Sequence, residues 1–230
     1  MHRWIWDLHY TPPESLRHEY PISAIPHDTP RLPRGARALP GLYTVRLTVN
    51  GKSYTAPLRV KMDPRVRTTP EALQQQFEME MELTSLMTRS TEGVWQVRSA
   101  AGQIEKIIPQ ATGTVAETLK ALDKKIQTLL TASEEFPAPG ATQISIKRVN
   151  DQVSALYNGI DSADAAPTLA QAAAISQIRH DFSGAMARWS ALKTADIAAL
   201  NALLGGANLP EIRLDMKPSN EEDADDSDLE

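Results

Sequence analysis

The sequence contains no cysteine. That excludes disulfides, a thiolate zinc site and a cysteine nucleophile, and it leaves the compartment open. Glycine is scarce, with 11 in 230 residues, and none opens a phosphate-cradling loop: Gly205-Gly206 closes a helical pattern instead of starting one. No apolar run reaches the roughly 20 residues of a membrane-spanning helix. No apolar signal core follows Trp4-Ile5-Trp6, which charge flanks on both sides. What remains is ample for a folded core, since 41% of the residues are hydrophobic. The length predicts one or two domains.

The net charge of -5 is concentrated at one end. Asp215, Glu221, Glu222, Asp223, Asp225, Asp226, Asp228 and Glu230 stand against the single base Lys217. Setting these aside from 29 acids and 24 bases leaves 21 acids and 23 bases. The body of the chain is therefore near neutral, with no basic face that would suggest nucleic acid. The tail itself is expected to be solvated and disordered.

Aromatics make up only 5% of the chain, and they gather early. Tyr10, Tyr20, Tyr43 and Tyr54 precede residue 60, as do Trp4 and Trp6. A β segment is expected there, with an α segment after it. Trp4, Trp6, Leu8 and Tyr10 alternate with Arg3, Asp7 and His9, which predicts a half-buried strand over 3–10. Seven prolines follow between 11 and 40 (Pro12, Pro13, Pro21, Pro26, Pro30, Pro33 and Pro40). They exclude a continuous helix or a central strand and predict a long connection. Tyr43, Val45, Leu47 and Val49 then alternate with polar residues, as do Tyr54, Ala56, Leu58 and Val60. Asn50-Gly51 between them supplies the two positive-φ residues of a type I′ turn. The hairpin so formed pairs Leu47 with Tyr54, Val45 with Ala56 and Tyr43 with Leu58, all apolar on one face. Pro57 predicts a free edge or a bulge on the second strand.

Asp63-Pro64-Arg65 breaks the pattern. Thr69 is a natural N-cap, Pro70 suits the first helical position and Glu71 the positive end of the helix dipole. An apolar period runs from Leu73 and Phe77 to Ile108, where Pro109 ends it. Further stripes start at Val115, Ile146 and Leu169, and Thr194 could cap a short fifth helix. Connectors such as Phe136-Pro137-Ala138-Pro139-Gly140 are short, which predicts antiparallel neighbours in a bundle. The fold class expected is α+β: a small, incomplete β unit with its Pro-rich connection over 1–66, a helical bundle over 67–212 and an acidic tail over 213–230.

The order Trp6-Asp7-Leu8, Pro40-Gly41-Leu42-Tyr43-Thr44-Val45-Arg46-Leu47-Thr48-Val49, Gly51-Lys52-Ser53-Tyr54-Thr55 and Val60-Lys61-Met62-Asp63-Pro64-Arg65 resembles the region after the β-propeller in bacterial sortilin-like, BNR-repeat glycosyl-hydrolase-like proteins. Asp164-Ala165-Ala166-Pro167-Thr168 is similar to a later motif of that group. The resemblance covers most of the chain except the tail. It implies an Ig-like module, here with three or four strands where about seven are usual. It also implies a helical segment and an upstream propeller in the same polypeptide, the parent being periplasmic or secreted. The strand pattern at the very start, with nothing ahead to pair with it, agrees with a C-terminal piece of a longer protein. Any hydrolase activity would belong to the propeller, so no catalytic residue carries over.

The residues themselves yield no catalytic, cofactor or metal site. His2, His9, His18 and His27 are spaced unlike any zinc pattern, which leaves them as solvated loop histidines. A glycosidase needs two carboxylates flanking one bond. Asp7, Glu14, Glu19, Asp28 and Asp63 offer nothing more specific than any chain would, and Asp63 is better read as shaping its turn. Ser183-Gly184 near His180 is helical and forms no nucleophile elbow. Trp4 and Trp6 read as core residues before a sugar platform, and Met79, Met81 and Met87 as core filling. Three functions stay open: a non-catalytic accessory module that uses the propeller or another protein as partner, a brace for a glycoside hydrolase propeller, and a stand-alone helical partner-binding protein.

Overall fold

The computed structural model describes residues 4–20, 29, 31–131 and 144–214. Its sheet is a single antiparallel hairpin of β1 (Gly41–Val49) and β2 (Lys52–Val60). The turn chemistry sets it: Asn50 and Gly51 hold φ of 49° and 77°, the left-handed pair that a type I′ turn requires. The register agrees, with Leu47 opposite Tyr54, Val45 opposite Ala56 and Tyr43 opposite Leu58. Thr44 pairs with Pro57 in an unbroken ladder, so no bulge forms there.

The rest is mainly helical, giving a mixed α+β chain. α1 (Pro70–Ile107) has 38 residues, about 57 Å at 1.5 Å per residue. The Thr69 hydroxyl accepts the Ala72 amide at 3.2 Å and caps it. A 3₁₀ turn at Ile108–Gln110 closes it at Pro109. α2 (Gly113–Leu130) and α3 (Ile146–Asp161) come next. α4 (Leu169–Ala191) runs without interruption through a π-helical stretch, Leu192–Ile197, into α5 (Ala198–Gly206). The fifth helix expected at Thr194 therefore has no separate start. Thr194 Oγ1 donates back to the Ser190 carbonyl at 3.0 Å, which is a mid-helix bond and not a cap.

Chain contacts divide the molecule into two units. One comprises the chain through Ser85 together with Ser154–Ile175; the other comprises Leu86–Val153 and the residues from Ser176 on. In the second unit Met87, Val94, Val97, Leu119, Ile126, Val149, Trp189 and Leu200 are fully buried, each contributing about 1.5–3 kcal/mol for an apolar side chain of that size. A buried polar group sits among them: Asn150 Nδ2 donates to Ser90 Oγ at 2.8 Å and Thr91 Oγ1 at 2.9 Å. Trp189 Nε1 donates to Gln96 Oε1 at 3.0 Å, so the indole is buried with its donor satisfied.

The first unit departs from expectation at its start. Residues 4–8 form no strand; a lone antiparallel bridge joins His9 to Arg37. Asp7 Oδ1 accepts the His9 amide at 3.1 Å, a local turn that competes with extended pairing, and Leu8 is driven to φ 64°. Trp4, expected in the core, is 76% exposed. Trp6 is half-buried, edge-on to Tyr43 with ring centroids 5.4 Å apart. Gly35 fits where nothing larger could, since a Cβ would lie 2.1 Å from the Tyr10 carbonyl oxygen. His2, His27, Asp28, the 136–140 connector and the tail from 215 lie outside the described residues.

Candidate functional site

The first unit contains a cavity of about 450 Å³ beside the hairpin base, lined by Leu8, His9, Arg34, Arg37, Gln76, Phe77, Glu80 and Asp164 among others. Its wall is a buried polar cluster. α1 brings Gln76 and Glu80, 4% and 1% exposed, one helical turn apart. The C-terminal end of α3 and the turn after it bring Tyr157, Asp161 and Asp164. The Pro-rich connection brings Arg34, Gly35 and Arg37, and the starting segment brings His9.

Arg37 is the hub. Its amide donates to Glu80 Oε2 at 2.9 Å, Nη1 to Asp164 Oδ1 at 2.8 Å and Nη2 to the Asp161 carbonyl at 2.9 Å. Gln76 Nε2 reaches Glu80 Oε1 at 2.9 Å and the Ile160 and Ala163 carbonyls at 3.1 and 3.0 Å, and its Oε1 accepts the Ala165 amide at 3.2 Å. The Tyr157 hydroxyl lies 2.9 Å from the Arg34 carbonyl and 2.8 Å from that of Gly35, with one proton to share between them. Burial, with Asp161 and Glu80 nearby, pushes this phenol far above its ordinary range.

His9 is buried, contrary to its reading as a solvated loop residue. Its Nδ1 is 2.8 Å from the Asp7 carbonyl, which can only accept, so Nδ1 carries a proton. Nε2 lies 3.7 Å from Asp161 Oδ1, a charge contact too long for a hydrogen bond, and it has no other partner. Burial disfavours the charged ring, but Asp161 and Asp7 outweigh it and raise the pKa above 6.5. Burial likewise opposes the Asp161 carboxylate, and His9 and Arg37 overcome it to hold the pKa below 3.8. At Glu80 burial wins over the Arg37 amide and Gln76, and the carboxyl is raised above 4.5. The arrangement is chemically a clamp: most of its charge is spent on bonds that tie the Pro-rich connection to the two helices. The Arg34 and Arg37 Nε groups are also buried without a hydrogen-bond acceptor.

Among the described residues no group of His, Asp and Glu is placed to hold a metal. His18, Glu14 and Glu19 are exposed and do not line the cavity. Asp63 bonds Arg65 through its amide at 2.9 Å and its guanidinium at 2.6 Å, as a turn-shaping residue does. His180, Ser183 and Gly184 lie on the exposed side of α4. Met87 is core, whereas Met81 is 41% exposed. Among the described carboxylates singled out from sequence, Asp7 bonds His9 of the cluster and Asp63 lines the cavity; Glu80, Asp161 and Asp164 were missed. A signal for Glu80 existed. Leu73, Gln76, Glu80, Leu83, Met87, Ser90, Val94 and Val97 are buried on α1 at steps of three and four, and two of the first three are polar.

Fold and cluster thus define a mixed α+β protein with a clamped β-hairpin. No family model, curated protein or solved structure matches the chain. No helix among the described residues is long and apolar enough to cross a membrane.

Proposed function

We propose that the chain is a non-catalytic accessory module of a larger β-propeller protein, with the hairpin as its docking element. The observation that carries this is an uncovered apolar sheet face. Val45, Leu47, Val49, Tyr54 and Leu58 share one face and are 40%, 61%, 48%, 60% and 37% exposed. A two-stranded hairpin is marginal by itself in water, and a contiguous apolar patch of this kind marks an interaction surface. In the Ig-like arrangement implied by the sequence block, an opposing sheet would cover that face. The polar cluster then serves to fix the base of the hairpin to α1 and α3. The block of residues from Trp6 to Arg65 supplies the propeller part of the reading.

The test is the size of the native polypeptide in its source cells, by immunoblot with an antibody to this chain. A band far above 25.3 kDa, with sequence encoding a propeller, is expected. A band at 25.3 kDa would overturn the reading and turn attention to separate partners of the chain.

A further inference from the structure

The hairpin's two free edges are not equivalent. In a two-residue type I′ hairpin the residues flanking the turn exchange both hydrogen bonds, and bonded and non-bonded pairs alternate from there. Val49 and Lys52 flank this turn, so Leu47–Tyr54, Val45–Ala56 and Tyr43–Leu58 are the bonded pairs. Leu42, Thr44, Arg46 and Thr48 of β1 consequently direct their amides and carbonyls outward, as do Ser53, Thr55, Pro57 and Arg59 of β2. Pro57 has no amide hydrogen, so the β2 edge lacks a donor at its middle, a device that blocks strand addition. The β1 edge has all four donors, and no backbone bond among the described residues uses them. Charge narrows the partner. Residues 41–62 carry Arg46, Lys52, Arg59 and Lys61 and no acid. Arg46 lies on the polar face of β1, where it would flank side chains of an added strand.

We infer that β1, and not β2, accepts a third strand from an extended partner segment with alternating apolar and acidic residues, the apolar ones continuing the Val45–Leu47 face and the acidic ones flanking Arg46. This deepens, and rests on, the docking reading of the hairpin. The mode is strand addition, in which backbone bonds give affinity and alternate side chains give specificity.

The probe is a capped octapeptide of alternating Val and Glu, titrated into the ¹⁵N-labelled full chain, with a Val–Lys octapeptide as control. Saturable shifts and slowed exchange at the amides of 42, 44, 46 and 48 are expected, with a dissociation constant below about 1 mM. Arg46→Glu should weaken binding about tenfold, and Arg46→Pro should abolish it, whereas Thr55→Pro on the opposite edge should not. Shifts confined to 53, 55 and 59 would overturn the edge assignment while leaving the hairpin a docking element. Equal binding of the Val–Lys peptide would overturn the acidic specificity. No binding to either would overturn strand addition, with the native-size measurement deciding the accessory reading separately.

Discussion

Replacing Asp161 with asparagine removes the charge that faces His9 and Arg37 while keeping the side chain's size. Asp161 Oδ1 lies 3.7 Å from His9 Nε2 and 3.3 Å from Arg37 Nη2; the bond from Arg37 to the Asp161 carbonyl survives the change. His9 has a raised folded pKa, since burial is outweighed by Asp161 and Asp7. Its contribution to stability is therefore full below its unfolded value of 6.5 and is lost as the pH rises through the folded value. Asp161 has the opposite sign. Burial is outweighed there by His9 and Arg37, so its contribution is present above 3.8 and is lost as the pH falls through the depressed folded value. Between 3.8 and 6.5 both groups are charged and the pair acts at full strength. A hydrogen bond to a charged group is worth about 1.5–3 kcal/mol. Side-chain exposures of 18% for Asp161 and 35% for Arg37 place the expected loss near the lower end of that range, about 1.5 kcal/mol. Urea unfolding at about pH 5.5 should show this loss, and a smaller one at a pH above the folded His9 midpoint read from its ring titration, where the His9 part has gone. The His9 ring titration, followed by NMR, should move downward in Asp161→Asn. An unmoved His9 midpoint, or a loss identical at the two pH values, would refute the coupling.

Gly35→Ala should destabilise the chain by about 1–3 kcal/mol through overpacking, because the new methyl meets the Tyr10 carbonyl; a change below about 0.5 kcal/mol in urea unfolding would contradict that close approach. Asn150→Ala removes bonds to Ser90 and Thr91, and at about 0.5–1.5 kcal/mol each it should cost about 1–3 kcal/mol in the same assay. Leu47→Ser, at a position 61% exposed, should change the stability of the isolated chain by less than about 0.5 kcal/mol; a larger loss would mean that its face is already covered. Amide exchange should find the outward-facing hairpin amides of 42, 44, 46 and 48 weakly protected, and the Arg37 amide and the buried helical positions between 73 and 204 well protected. Uniform protection would argue against a β unit that awaits further strands.

The hairpin was legible because turn chemistry and alternation agree within 20 residues, and both are local. α1 was legible for the same reason, from its Thr69 cap to Pro109. The polar cluster was not. Its members come from four separated segments, and the Arg37 link to Asp164 spans 127 positions, a pairing that no periodicity can reveal. The first strand failed because alternation of Trp4, Trp6, Leu8 and Tyr10 competes with the bond from Asp7 to the His9 amide, and the local bond won. An apolar stripe drawn on α1 through Phe77 passes over Gln76 and Glu80, which occupy the buried positions. Periodicity assigns polar residues outward by default; here Gln76 finds partners at both ends of its amide, whereas at Glu80 burial still outweighs the Arg37 amide and Gln76.

The π-helical stretch at Leu192–Ile197 sets the phase of α5. Buried positions along the helix fall at Ile175, Ile178, Phe182, Ala185, Trp189 and Leu192, in steps of three and four, and then jump five to Ile197 before resuming at Leu200 and Leu204. A wide turn of this type is one residue inserted into an α-helix, and it absorbs the rotation of about 100° that an extra residue would otherwise impose. A regular α-helix of the same length would turn Asp196, Ala199 and Leu203 inward in place of Ile197, Leu200 and Leu204. Removing one residue from within the stretch would instead shorten the jump to an ordinary step of four and keep both halves in phase. Residue count is thus negotiable at this one point of the helix, whereas the same deletion in the middle of α4 would rotate one half of its buried stripe away from the other.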